Sequence, residues 1–78
     1  MAAKVPHVVV SFHTTTDALS FKQAAIGAGW KGRLAPIPRQ LSAGCGMAWK
    51  EPGGNADQAR LLAEGNGLEY EQIAELDL

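Results

Sequence analysis

Apolar positions in the first third of the chain follow two rhythms. Val5-Pro6-His7-Val8-Val9-Val10-Ser11-Phe12 is short and β-branched, with Pro6 near its start, and predicts a strand. Thr14-Thr15-Thr16-Asp17 then supplies a helix start, with Thr14 as N-cap and Asp17 in the first turn. Ala18, Leu19, Ala25 and Ile26 recur at helical spacing until Gly27 or Gly29 ends the element. Gly32 to Ile37 reads as a second strand, and its Pro36 belongs on a sheet edge. Gly46 to Lys50 reads as a third.

Pro52-Gly53-Gly54-Asn55 breaks the pattern. Asn55, with Gln58 three residues later, resembles a capping box opening a second helix whose buried stripe is Ala59, Leu62 and Ala63. Gly65 or Gly67 closes it. Leu68 to Leu76 reads as a last strand, with Glu71 and Glu75 on one side and Tyr70 and Leu76 on the other. The order β-α-β-β-α-β in so short a chain predicts one ferredoxin-like α+β domain over residues 1–78, a four-stranded antiparallel sheet with two helices on one face. That topology sets the end of the first strand, the start of the first helix and the loop between strands two and three on one edge.

Composition sharpens this picture in two places. Apolar residues make up 46% of the 78, enough for a globular core, but many are alanine. The expected core therefore rests on Val8, Val10, Phe12, Leu19, Ile26, Leu34, Met47, Leu62 and Ile73. One sheet face is left uncovered, and Trp49 is placed to cover it in a homodimer. The amino terminus lacks a cleavage signal, and no segment reaches membrane-spanning length. A cytoplasmic protein with a reduced thiol is the expectation.

Charge is uneven. From Ala18 to Lys50 there are five basic residues and no acidic one, whereas Glu51 to Leu78 holds seven acidic residues and one basic. Either the basic segment surrounds Cys45 with a positive field, or the two segments face each other and cancel.

Cys45 is the only cysteine, so it forms no internal disulfide and falls far short of a zinc site. It lies in Pro36-Ile37-Pro38-Arg39-Gln40-Leu41-Ser42-Ala43-Gly44-Cys45-Gly46, where the flanking glycines permit backbone shapes closed to other residues. On the expected edge, Cys45 meets His13, Thr14, Thr15 and Thr16. Free N–H groups at a helix start bind anions and favour thiolate, His13 supplies a proton or hydrogen bond, and Arg39 a fixed charge. Ser42 to Gly46 resembles a backbone anion nest but lacks the spacing and lysine of a P-loop. Such surroundings suit an anionic persulfide or perselenide. A quiet packing cysteine is the alternative.

Other chemistry is disfavoured. A Cys–His hydrolase needs an orienting third residue and a cleft that so small a domain hardly provides. His7 and His13 are six residues apart, about 20 Å along a strand, and cannot share a metal ion. RNA-recognition modules share the element order, but the third strand here carries one aromatic residue, and the net charge of −1 gives no electrostatic footprint for nucleic acid.

The run Pro36-Ile37-Pro38-Arg39, then Leu41-Ser42, then Cys45-Gly46-Met47-Ala48, resembles the signature of the putative selenium/sulfur carrier protein-like family. Phe12 with Thr14, Ala18-Leu19, and the closing Leu68-Glu69-Tyr70-Glu71 are similar to that family's outer elements. Ala43 and Gly44 stand where its members often carry hydroxyls, and Lys22 where they tend towards an acid. The resemblance implies a carrier rather than a catalyst, with Cys45 as the carrier residue and Arg39, Ser42 and Gly46 shaping its loop. No cofactor is implied. The partners expected for such a carrier are a sulfur or selenium donor, such as a cysteine desulfurase, and an acceptor enzyme. A small dimeric binding or regulatory module, with Cys45 structural or redox-sensing, is the competing expectation.

Overall fold

Six elements follow one another in a computed structural model that describes residues 5–37 and 46–78. They are β1 (Pro6–Ser11), α1 (Thr15–Gly27), β2 (Arg33–Pro36), β3 (Met47–Pro52), α2 (Ala56–Gly65) and β4 (Gln72–Asp77). The strands form one antiparallel sheet in the order β2-β3-β1-β4. This is the ferredoxin-like α+β fold that the element order predicts. Pro36 ends β2, which is an edge strand, where a residue without an N–H costs no ladder bond.

Both helices begin as their cap residues dictate. The Thr14 hydroxyl accepts the Asp17 N–H at 3.1 Å, and the Asn55 side chain accepts the Gln58 N–H at 2.8 Å. Gly29 and Gly67 follow the two helices with φ of +82° and +64°, the left-handed turn that ends a helix cleanly.

The core lies between the helices and one sheet face: Val8, Val10, Phe12 and Trp49 from the strands, Ala18, Phe21 and Ala25 from α1, Ala59 and Ala63 from α2. Leu34, Leu62 and Ile73 pack against it as expected, together with Trp30, Leu68 and Tyr70. Two expectations fail on α1. Leu19 and Ile26 are 48% and 57% exposed, and Phe21 is buried instead. The pairs Ala18/Ala25 and Leu19/Ile26 share the same spacing but sit about 100° apart around the helix. Phe21 decides between them, because it shares a stripe with Ala18 and Ala25 and its ring lies 5.5 to 6.1 Å from those of Phe12, Trp30 and Trp49.

Trp49 is a core residue rather than a cover for the second sheet face. It lies under the helices, 1% exposed, while Val9, Ser11, Ala35 and Ala48 on the other face are buried as well. Strand alternation explains this, since Trp49 pairs with Val10 and Leu34, both of which face the helices. The third strand runs two residues further than its apolar pattern indicates, which draws Glu51 into the sheet. The last strand starts at Gln72, and Tyr70 packs on the core before it rather than sharing a face with Leu76.

Candidate functional site

Three chain segments converge on one sheet edge. β1 leaves the sheet at Ser11, which pairs with Ala48 near the start of β3, and Ala35 of β2 pairs with the same Ala48. Beyond this row, Pro36 pairs with Met47, and the Ile37 N–H donates to Gly46 O at 3.0 Å. Gly46 has φ of +71°, with nothing near its missing Cβ, so glycine is needed there for backbone shape rather than for space. The β1–β3 ladder ends at Ser11 and Ala48, so His13 and Gly46 each follow it by two residues on this same edge. Thr14 caps α1 immediately after, so this helix begins on the same edge.

Of the residues the sequence singles out, His13, Thr14 and Gly46 come together in this way. Arg39, Ser42, Gly44 and Cys45 lie outside the described residues.

His13 has a partner that sequence reasoning missed. Its Nδ1 lies 3.3 Å from Glu71 Oε1, an ion pair whenever the imidazole is protonated. The Glu71 N–H donates to Ser11 O at 2.7 Å, which fixes the carboxylate's backbone beside the end of β1. Sequence separation hid the pair, although pairing of the first and last strands is a property of the fold itself. Nε2 of His13 has no partner among the described residues.

A positive field around Cys45 would depend on Arg39, and both lie outside the described residues. No ion pair among the described residues joins the basic segment to the acidic one. Yet Lys50 lies four residues along β3 from Gly46, about 13 Å away and beyond a physiological Debye length. Lys31 and Arg33 gather with Lys50 at that far end. At the Gly46 edge the described groups are the first-turn N–H groups of α1, Asp17 within that turn, and the His13–Glu71 pair.

Glu51 is a second polar feature that the sequence did not single out. It is 8% exposed. Its Oε1 accepts the Gly32 N–H and the Trp49 indole N–H, both at 2.9 Å, and its Oε2 accepts the Lys31 N–H at 3.1 Å. These bonds tie the α1–β2 connection to β3 and anchor the indole. The role is architectural.

Among the described residues, no cluster of three or more His, Cys, Asp or Glu is placed to hold a metal ion. No helix there is long and apolar enough to cross a membrane.

A ferredoxin-like α+β domain, with β1 ending and α1 starting at the edge where β2 ends and β3 begins, is thus the class that the fold defines. Over residues 7–75 the chain matches the family described as Putative Se/S carrier protein-like, and it belongs to that family. No curated protein and no solved structure matches it.

Proposed function

We propose that the protein carries sulfur or selenium as a persulfide or perselenide on Cys45. The observation supporting this most is the edge geometry: Gly46, next in sequence to Cys45, takes a left-handed backbone at the sheet edge where β1 ends and the capped helix α1 begins. A helix start favours anions, and both the thiolate and its persulfide product are anionic at neutral pH.

In the loading step, the Cys45 thiolate attacks the outer sulfur of a donor persulfide. A new S–S bond forms on Cys45, the donor's S–S bond breaks, and the donor leaves as a thiolate. Delivery is the same exchange in reverse, with an acceptor thiolate as nucleophile. His13, with Glu71 on Nδ1, holds a proton on this edge for the departing sulfur. Arg39 supplies a charge and Ser42 a hydroxyl within six residues of Cys45 in the sequence, and Gly44 is its immediate neighbour. A cysteine desulfurase is the donor class this chemistry requires.

The test is intact mass after incubation with a cysteine desulfurase and cysteine, then repeated with a selenium source. A gain of one sulfur, or one selenium, that is absent in Cys45→Ser is the expected result. An unchanged mass under both conditions, with the desulfurase active on a control acceptor, would falsify the proposal.

A further inference from the structure

Three of the basic residues of the central segment, Lys31, Arg33 and Lys50, collect at the end of the sheet away from Gly46. Lys31, Arg33 and Lys50, with His7, Gly32 and Pro52, line a recess of about 310 Å³. Arg33 and Lys50 are Cα partners on adjacent strands. Like charges set directly opposite one another destabilise a sheet, and no carboxylate among the described residues pairs with either.

Strand alternation keeps acids away from this face. Glu51 shares its side of β3 with Trp49, and Glu75 accepts the Ala56 N–H at 2.8 Å at the start of α2, so both point towards the helices. Glu51 is the nearest carboxylate, and its oxygens are occupied by the Lys31, Gly32 and Trp49 N–H groups. His7 donates its Nδ1–H to Val5 O at 2.7 Å, so on the neutral ring Nε2 is an acceptor, suited to a protonated phosphoryl oxygen. Lys50 is half-buried, which strengthens its charge interactions relative to open solvent.

We propose that this recess binds the phosphoryl group of a small phosphorylated molecule. Arg33 offers a planar fork matched to phosphate oxygens, while Lys31 and Lys50 act as point charges from two further directions. A volume near 310 Å³ is at the small end of ligand pockets and fits a diphosphate-sized group better than an extended polymer. The bound anion also removes the Arg33–Lys50 repulsion.

The experiment is a titration of the ¹⁵N-labelled full chain with sodium pyrophosphate at fixed ionic strength. Inorganic phosphate, citrate and a ten-nucleotide single-stranded RNA serve as comparison ligands. Saturable shifts at the amides of His7, Lys31, Gly32, Arg33 and Lys50 are expected, stronger for pyrophosphate than for citrate. Arg33→Gln and Lys50→Gln should each weaken binding about tenfold. The double substitution should bind nothing measurable while unfolding at the same temperature as the parent or higher, because it removes a like-charge pair. Absence of saturation by about 10 mM pyrophosphate would overturn the proposal, a limit far weaker than millimolar ligand binding allows. So would equal affinity for citrate, unchanged affinity in both variants, or binding of the RNA in preference to pyrophosphate.

Discussion

Nδ1 of His13 lies 3.3 Å from Oε1 of Glu71, joining the residue after β1 to the residue before β4. The His13 side chain is 59% exposed and that of Glu71 28%, so the pair adds at most about 1 kcal/mol to stability. Its effect is positional, because a carboxylate on Nδ1 orients the ring.

Glu71→Gln should therefore slow sulfur loading of Cys45 severalfold while unfolding free energy stays within about 0.5 kcal/mol of the parent. Single-turnover transfer from a persulfidated donor, read by mass at timed quenches, measures the first quantity. His13→Ala should slow it at least as much. Equal loading rates in both variants would remove His13 from the exchange.

Cys45 should alkylate with iodoacetamide at pH 7 faster than free cysteine, whose thiol has a pKa of about 8.5. A rate profile from pH 5 to 9, with loss of free thiol followed by mass, checks this. A profile that overlays free cysteine would show that the helix start does not reach the sulfur.

Gly46→Ala should cost about 1 to 2 kcal/mol, since φ of +71° is unfavourable for a residue with a Cβ although the space is open. Urea unfolding measures the cost. Loading of Cys45 should fall with it, because the hairpin closure between Ile37 and Gly46 depends on that backbone shape.

Glu51→Leu should be among the most destabilising substitutions in the chain. It strips partners from the Lys31, Gly32 and Trp49 N–H groups, each costing about 1 to 3 kcal/mol when left unsatisfied in the interior. Gly32→Ala should cost about 1 to 3 kcal/mol through the same junction, where a Cβ would collide with Lys50 O and Glu51 Oε1. Thermal unfolding without donor or ligand reads both.

On α1, Phe21→Ala should cost about 3 to 5 kcal/mol, whereas Leu19→Ala and Ile26→Ala should each cost well under 1 kcal/mol beyond their helix propensities. The contrast tests which stripe of the helix is the buried one.

Local chemistry made much of the fold legible. Thr14 and Asn55 announce helix starts because their side chains bond N–H groups only three residues away. Glycines after each helix, the β-branched first strand and Pro36 at an edge are likewise properties of short stretches. Element order then carries the topology, and with it the shared edge of His13, Thr14 and Gly46.

The choices among equivalent local patterns needed three dimensions. Leu19 and Ile26 repeat with the same period as Ala18 and Ala25, so only the aromatic cluster around Phe21 selects the buried stripe. Trp49 faces the helices because register, not composition, sets its side of the sheet. Pairings such as His13 with Glu71, and Glu51 with Lys31 and Gly32, join residues far apart along the chain, and closing those loops is the work of the whole sheet. The sequence by itself determined where the elements begin and end to within a few residues, and that its one cysteine falls between β2 and β3. Only the tertiary structure decided which charges gather where, because the alternating sides of β3 part Lys50 from Glu51, neighbours in the chain and on opposite faces of the sheet.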